Sequence, residues 1–316
     1  MQAVYFEKFG SPDVLKFGEM PEPTCGASQV VVEVKAASIN PVDYKIVEGE
    51  GLPLPLFGKF PRIPGSDFAG VVLKTGSGVT HVKPGDEVYG ISTSFFGGPG
   101  SHAQRVVTNK RVVRKIPAGL TIETMSAIPV GALTAFNGLR QCGELKGKTV
   151  LLTGASGGVG LFALQLAKYF GAHVTTICSA KNVPLVRRLG ADETRDYATT
   201  TLTSLNRKFD IFFDAYGPTP LSDAAPLIER GGHYVTTLPR GAKIFKSFFG
   251  FIFSNPHVVM ANLSISKTGF ETIESLLTEK KLEVLISKKY PLSAAAEAYA
   301  ALKSGGIPGK IILTNP

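Results

Sequence analysis

Two patterns of hydrophobic and polar positions divide the chain. Up to about residue 120, short apolar runs are separated by Gly and Pro, which predicts short strands and no long helix. From Lys148 onward, apolar runs of strand length alternate with segments of helical periodicity. The first pattern indicates a β-rich, barrel-like domain, and the second a doubly wound parallel sheet of the α/β class.

Individual elements follow from the same patterns. Strands are expected in the first part at 29–39, 68–76 and 86–92, with a tight turn at the KPGD of residues 83–86. The second part is expected to hold strands and helices in alternation: strand 149–153, helix 158–172, strand 173–178, helix 181–191, and strands 209–215 and 231–238. One helix-like segment is expected after about residue 265, followed by KKYPLSAAAEAYAALKSG at 288–305 and a last strand at 310–314.

A glycine-rich turn, GASGGVG at 154–160, joins the strand at 149–153 to the helix that follows it. In this arrangement, backbone N–H groups at a helix start bind the pyrophosphate of a dinucleotide. Gly154, Gly157 and Gly160 are three residues apart, so the spacing is a variant of G-x-G-x-x-G. The alternative is a turn whose glycines serve packing alone. The residues of this turn expected to bind the cofactor are Ser156, Gly157, Gly158 and Val159.

The choice of dinucleotide depends on the residues after the second α/β strand, which read CSAKN at 178–182. NAD sites usually carry Asp or Glu near this point to bind the ribose hydroxyls. A hydroxyl and an ammonium group, from Ser179 and Lys181, instead suit a 2′-phosphate. The sequence therefore predicts NADPH, with Asn182 and Tyr197 as further binding residues. The alternative is that Lys181 is a solvated residue of the next helix and Tyr197 an ordinary half-buried tyrosine.

Composition and charge narrow the function classes. The 316 residues carry a net charge of +9, but the basic residues are scattered and Trp is absent, so no nucleic-acid partner is expected. The chain has no apolar run of membrane-spanning length and no secretory signal pattern at its start. Its three cysteines are far apart, which argues against a disulfide framework. A reducing compartment is expected, the cytoplasm by default, with an organelle or a membrane-peripheral location left open.

Motifs along nearly the whole chain resemble the medium-chain dehydrogenase/reductase superfamily, in particular its zinc-free quinone oxidoreductase and enone oxidoreductase branch. The matching segments include AVYFEKFGSPDVLKF (3–17), ASINPVDYK (37–45), FPRIPGSDFAGVV (60–72), GALTAF (131–136) and GKII (309–312). The resemblance implies a GroES-like β-barrel domain formed by 1–122 and 266–316, and a Rossmann NADP-binding domain at 123–265. It also implies an active site in the cleft between the domains, and a homo-oligomer, expected to be a dimer.

The resemblance also shows what this chain lacks. Zinc-containing members carry a Cys where this chain has Asn40 and a His where it has Ser66, together with a lobe of four cysteines. Without these ligands no metal is expected, and alcohol dehydrogenation is disfavoured because a Lewis acid is missing. The expected reaction is hydride transfer from NADPH to a quinone or a conjugated carbonyl.

The resemblance assigns roles to particular residues. Lys45 is the expected donor to the substrate; the alternative is a surface lysine at a strand end. Asn40 is expected either to hydrogen-bond the substrate or a water, or to order the loop before Pro41. Asp43 and Asp67 are expected to anchor loops. Further expected contacts are Tyr44, which lines the cleft, and Thr134 and Leu238, which touch the nicotinamide half of the cofactor.

Three hypotheses about the function stay open. The first is an NADPH:quinone oxidoreductase, the second an alkenal or enone double-bond reductase with little quinone activity, and the third an NADPH-binding protein with a non-catalytic or membrane-peripheral role. A Phe-rich segment, 244–253, bears on this choice. It predicts either a helix buried against the cleft or a dimer partner, or else an apolar lid or a membrane-facing patch flanked by Lys243 and Lys246.

Overall fold

The computed structural model describes residues 1–50, 59–94, 97–217, 219–237 and 256–315. The chain divides into a β unit, Met1–Val130 with Val284–Pro316, and an α/β unit, Gly131–Glu283. Both boundaries lie later in the chain than the expected 122/123 and 265/266. The backbone N–H of Val130 still donates to the Asp67 carboxylate of the β unit, at 2.8 Å. Gly269 packs closely against Leu133 within the α/β unit, which keeps residues after 265 in that unit.

Within the described ranges, the β unit has nine strands. They are β1 (Gln2–Tyr5), β2 (Lys16–Glu19), β3 (Gln29–Ile39), β4 (Asp67–Thr75), β5 (Glu87–Ile91), β6 (Arg105–Asn109), β7 (Val113–Lys115), β14 (Ile286–Pro291) and β15 (Lys310–Thr314). The larger sheet runs β14-β15-β3-β4-β5-β7, with β6 also paired to β3, while β1 and β2 pair with each other. Every pairing except that of β14 with β15 is antiparallel. The expected β-rich region and its strands are confirmed.

The α/β unit contains a six-stranded parallel sheet in the part of the chain that the structure describes. Its strands are β8 (Thr149–Thr153), β9 (His173–Cys178), β10 (Glu193–Asp196), β11 (Phe209–Asp214), β12 (Ile228–Thr236) and β13 (His257–Met260). Their spatial order is β10-β9-β8-β11-β12-β13, which is the doubly wound arrangement and confirms the predicted fold class. Strands β10 and β13 were not predicted from the sequence. Both are four-residue strands at the edges of the sheet, and β10 (ETRD) has no apolar residue.

Eight α-helices are described. They are α1 (Pro41–Glu48), α2 (Ile122–Ser126), α3 (Pro129–Arg140), α4 (Gly160–Tyr169), α5 (Val183–Arg188), α6 (Leu221–Ala224), α7 (Lys267–Thr278) and α8 (Ala295–Ser304). Pro184 lies in the first turn of α5, as predicted, where its missing N–H costs no helical hydrogen bond.

Helix α1 is held by apolar packing inside the β unit. Ile46 and Val47 are buried and share one hydrophobic cluster with Ala298 and Tyr299 of α8. Burying each aliphatic side chain contributes about 1.5–3 kcal/mol. One side of α1 is therefore anchored, and the start of the helix lies directly after β3.

Candidate functional site

A buried polar network forms in the β unit where three strands meet. Asn40 follows the last residue of β3, Asp67 is the first residue of β4, and Lys310 is the first residue of β15. The antiparallel pairing of Ile311 with Ile39 extends to place Lys310 opposite Asn40. Asn40 is 3% exposed, Asp67 0% and Lys310 4%. Such groups need partners because an unsatisfied buried polar atom is costly.

The Asn40 side chain finds those partners within the network. Its Nδ2 group donates to Asp67 Oδ2 at 2.9 Å and lies 3.4 Å from Asp43 Oδ2. Its Oδ1 atom accepts a hydrogen bond from Lys310 Nζ. These contacts are those of a residue that orders the chain before Pro41, which was one of the two expected roles. A contact between Asn40 and a substrate stays a prediction.

Asp43 closes the start of α1. Its Oδ2 atom accepts the backbone N–H of Asn40 at 2.7 Å, and its Oδ1 atom accepts from Ser66 Oγ at 2.6 Å. Burial raises the pKa of Asp43 to about 7, although the hydrogen bonds from Ser66 and Asn40 act in the opposite direction. Asp67 likewise accepts from Ser38 Oγ at 2.6 Å. Both carboxyl groups make the anchoring contacts that the sequence analysis expects.

The network therefore occupies the two positions at which zinc-containing relatives carry Cys and His. Asn40 and Ser66 are bonded to carboxyl groups there, and neither an amide nor a hydroxyl matches the usual thiolate and imidazole ligands of zinc. Across the described ranges, no group of three His, Cys, Asp or Glu residues has an arrangement that could hold a metal ion.

Tyr44 and Lys45 lie on α1 and are half-buried. Lys45 therefore lies in a helix, so the alternative that placed this lysine at the end of a strand is wrong. The Lys45 carbonyl accepts the backbone N–H of Glu50 at 2.8 Å, where the helix closes at its C-terminus. A catalytic role for Lys45 or Tyr44 stays a prediction.

The glycine turn of the α/β unit connects β8 to α4 and leaves no room for side chains at two of its positions. Gly154 has φ +69°, a left-handed conformation that favours glycine. A Cβ atom on Gly160 would lie 2.0 Å from the Gly154 carbonyl oxygen. Val159 directly precedes the first turn of α4. The turn is a tight backbone cradle at a helix start, which is the geometry that an anionic pyrophosphate requires.

The polar residues predicted to bind the cofactor gather at the carboxyl ends of β8, β9 and β10. The Asn182 side-chain N–H donates to Ser156 Oγ at 2.9 Å, which links the glycine turn to the residues after β9. The backbone N–H of Tyr197 bonds to the Cys178 carbonyl at 3.2 Å, next to Ser179.

The exposure of these residues differs from one expectation. Tyr197 is 65% exposed, so the alternative of a half-buried tyrosine is wrong. Lys181 is exposed within the short 3₁₀ turn Ala180–Asn182, and Ser179 is partly exposed. Their binding roles stay predictions.

Of the remaining expected cofactor contacts, Thr134 lies among the described residues and Leu238 does not. Thr134 is 7% exposed within α3, one helical turn after Gly131. A Cβ atom on Gly131 would lie 2.9 Å from the Gly158 carbonyl oxygen, so the start of α3 rests on the glycine turn. Leu238 and the Phe-rich segment 244–253 lie outside the described residues.

None of the helices in the described ranges has the length and apolar character needed to cross a membrane.

Sequence reasoning missed two residues that organise these sites. Asp214 is fully buried at the end of β11 and accepts hydrogen bonds from Thr153 Oγ1 at 2.6 Å and from the Gly217 N–H at 2.9 Å. Lys310 is the other. Each is a charged residue at the end of an apolar strand, which was a usable signal. Their side-chain partners, Thr153 for Asp214 and Asn40 for Lys310, are distant in sequence, so periodicity did not identify them.

Comparison with known families agrees with this geometry. The family model described as the GroES-like domain of alcohol dehydrogenase matches residues 26–118, and the model described as zinc-binding dehydrogenase matches residues 189–313. The second name refers to a metal, whereas Asn40 and Ser66 replace the thiolate and the imidazole in this chain.

Individual relatives extend along the whole chain. The quinone-oxidoreductase homolog of Spinacia oleracea chloroplasts is 35% identical, covering 99% of this chain and 98% of the relative. The NADPH-dependent alkenal/one oxidoreductase of Arabidopsis thaliana chloroplasts is 32% identical, covering 99% of this chain and 79% of the relative.

A solved structure shows the same fold over the same length. The quinone oxidoreductase from Coxiella burnetii has a TM-score of 0.92 at 28% identity, covering 100% of this chain and 99% of that one. The expected GroES-like and Rossmann domains are thereby confirmed. The chain belongs to the medium-chain dehydrogenase/reductase superfamily of oxidoreductases, in its branch of quinone and enone oxidoreductase homologues.

Proposed function

We propose that this protein is an NADPH-dependent oxidoreductase that transfers hydride to quinones or conjugated carbonyl compounds without a metal. One observation carries the proposal. A tight glycine cradle at the start of α4 lies at the same sheet edge as Ser179 and Lys181, in a chain 35% identical to a quinone-oxidoreductase homolog.

The residues at this edge fit a dinucleotide with a 2′-phosphate. The cradle between Gly154 and Gly160 would hold the pyrophosphate against backbone N–H groups, since a Cβ at either position would fill it or clash. Because Asn182 donates to Ser156 Oγ, the Ser156 hydroxyl hydrogen is directed to another acceptor, such as a phosphate oxygen. Ser179 and the Lys181 ammonium would bind the 2′-phosphate.

NADPH supplies a hydride to the acceptor, and the chain's own residues position both molecules and receive the charge that develops. The Lys45 ammonium would donate to the acceptor oxygen, where negative charge accumulates during reduction. Tyr44, one position earlier on α1, would border the acceptor. Quinones and enones suit a site with no Lewis acid because conjugation spreads this charge.

The alkenal or enone reductase is a second candidate on the same site. It is favoured by the 32% identity to an NADPH-dependent alkenal/one oxidoreductase along 99% of this chain. Both candidates use the same cofactor edge and differ only in the acceptor.

The proposal is tested by following NADPH oxidation with a panel of ortho- and para-quinones, 2-alkenals and conjugated ketones. We expect turnover with at least one of these classes and a preference for NADPH over NADH. The class that is reduced fastest decides between the two candidates. NADPH binding without turnover of any acceptor would leave a cofactor-binding protein and overturn the enzymatic proposal.

Lys45 is tested separately. Lys45→Ala should lower turnover on the order of a hundredfold, which is typical for loss of one donor to a developing oxyanion. The dissociation constant of NADPH should hardly change, because Lys45 is proposed to bond the acceptor and not the cofactor. Lys74→Ala, which removes an exposed lysine from β4, is the matched control and should keep wild-type turnover. Unchanged turnover in Lys45→Ala would reject its role.

A further inference from the structure

Lys310 is a buried cation for which the proposed reaction has no direct use. Its side chain is 4% exposed, and its ammonium group has two neighbours in the network. Nζ donates to Asn40 Oδ1 and lies 3.6 Å from Asp67 Oδ2. Burial lowers the pKa of Lys310, while the nearby carboxylates of Asp67 and Asp43 act to raise it.

The backbone conformation at Gly309 fixes the position of Lys310. Gly309 has φ +71°, and a Cβ atom there would lie 2.3 Å from the Leu285 carbonyl oxygen. The same carbonyl accepts the Lys310 backbone N–H at 2.9 Å, which starts β15. The register of β15 against β3 then sets Lys310 opposite Asn40. Glycine before lysine is therefore a requirement of this close approach.

The contacts of Asn40 show what the cation controls. Asn40 is the residue immediately before α1, and Lys310 holds its amide oxygen while Asp67 holds its amide nitrogen. With both ends of the planar amide bonded, the side chain has one orientation. Asp43, in the first turn of α1, accepts the Asn40 backbone N–H and lies 3.4 Å from the same amide nitrogen, so Asn40 links the buried cation to the start of the helix.

Charge balance gives the same cation a second role. The network buries two carboxyl groups, Asp43 and Asp67, which are both 0% exposed, against the single ammonium of Lys310. An ammonium group here offsets carboxylate charge that water does not reach. A neutral hydrogen-bond donor at position 310 would orient the Asn40 amide without this compensation.

We propose that Lys310 is a positioning residue for α1: its buried ammonium group fixes the Asn40 amide and thereby the direction in which α1 presents Tyr44 and Lys45 to the acceptor. The inference rests on the proposed function of α1 and adds to it a residue 265 positions away from Lys45 in the sequence. Lys310 acts through Asn40 and does not touch the reacting atoms.

The test is a double-mutant cycle on turnover, with Lys310→Met, Asn40→Ala and the double variant. Each single variant should lower kcat on the order of tenfold or more, since small displacements of a catalytic group have large effects. The double variant should be little worse than either single variant, because both break the same link. The NADPH dissociation constant should stay at its wild-type value in all three. Lys288→Met, an exposed lysine on the neighbouring strand β14, is the control.

Two further measurements keep the test decisive. If Lys310→Met does not fold, Lys310→Arg retains the charge but alters the reach to Asn40, and it should lower kcat while keeping the melting temperature close to wild type. Hydrogen–deuterium exchange should show faster exchange of the amides of residues 40–48 in Lys310→Met or Lys310→Arg, and no change in Lys288→Met.

The outcomes separate this inference from the proposed function. Wild-type protein that reduces no acceptor refutes the proposed function, and the exchange rates of residues 40–48 still decide whether Lys310 positions α1. Wild-type protein that is active, with kcat of the Lys310 variants unchanged or with the two substitutions additive in the double variant, overturns the role of Lys310 alone.

Discussion

The polar residues around Asn40 in the β unit, and Tyr197 and Lys181 at the sheet edge of the α/β unit, differ in their exposure. In the β unit, Asn40, Asp67 and Lys310 are at most 4% exposed and bond to one another. In the α/β unit, Tyr197 is 65% exposed, and Lys181 is also exposed, at the edge of the parallel sheet. A buried polar group must have a partner in the fold, whereas an exposed one can also be satisfied by water.

This difference separates structural polar residues from those proposed to bind the cofactor. Asn40 and Ser66, which the family resemblance places at the positions of zinc ligands, are bonded here within a closed network at the start of α1. At the edge of the α/β sheet, Tyr197 and Lys181 are exposed to solvent, where a phosphate can reach them. Substitutions in the network should therefore change stability and its pH dependence, and substitutions at the edge should change affinity.

Among the variants that test this difference, Asp43→Asn in the network has the largest expected effect. The pKa of Asp43 is raised from 3.8 to about 7, so the folded protein holds this proton more tightly than the unfolded chain does. Its contribution to stability is complete below about pH 4 and is lost as the pH rises through about 7. The free energy of unfolding of wild type, minus that of the variant, should therefore fall between these pH values by roughly 4 kcal/mol, at about 1.4 kcal/mol per pKa unit.

Chemical denaturation of both proteins across this pH range measures the difference. Asp13→Asn, at an exposed aspartate of the same unit, is the matched control and should leave the free energy of unfolding close to that of wild type. A constant difference between wild type and Asp43→Asn at every pH would contradict the closed, buried network.

At the α/β edge, the largest effect is expected from Gly160→Ala. The added Cβ would lie 2.0 Å from the Gly154 carbonyl oxygen, so the turn must open. We expect the NADPH dissociation constant to rise about a hundredfold, or about 3 kcal/mol. Gly18→Ala is a matched control, because its Cβ would meet Tyr5 at an ordinary 3.4 Å. Fluorescence titration with NADPH gives the constants, and wild-type affinity in Gly160→Ala would show that the turn serves packing alone.

A smaller effect would sharpen the assignment of the exposed residues. Lys181→Ala should weaken NADPH about tenfold and leave NADH affinity unchanged, because the ammonium group is proposed to bind only the 2′-phosphate. Lys208→Ala, at another exposed lysine of the same unit, should alter neither affinity. Equal losses for the two cofactors, or no loss, would remove Lys181 from the 2′-phosphate site.

Much of the fold, including the glycine turn proposed to bind the cofactor, was predictable because it depends on consecutive residues. Apolar runs predicted β3, β8 and β11, and the glycine turn predicted the start of α4. The edge strands β10 and β13 were not predicted, since each is only four residues long and β10 (ETRD) has no apolar run. The limits of the two compact units depend on hydrogen bonds and packing that join residues such as Val130 and Asp67, which are far apart in sequence.

The sequence alone was sufficient for the fold class and for the strand, glycine turn and helix around residues 149–169, since residue type and local order carry these properties. Only the tertiary structure showed that Asn40 shares its amide with Lys310 and Asp67, and that Asp43 is buried enough for its pKa to approach 7. Strand register joins residues 270 positions apart, and burial depends on everything packed around a side chain. Neither strand register nor burial can be inferred from the neighbouring residues of the chain alone.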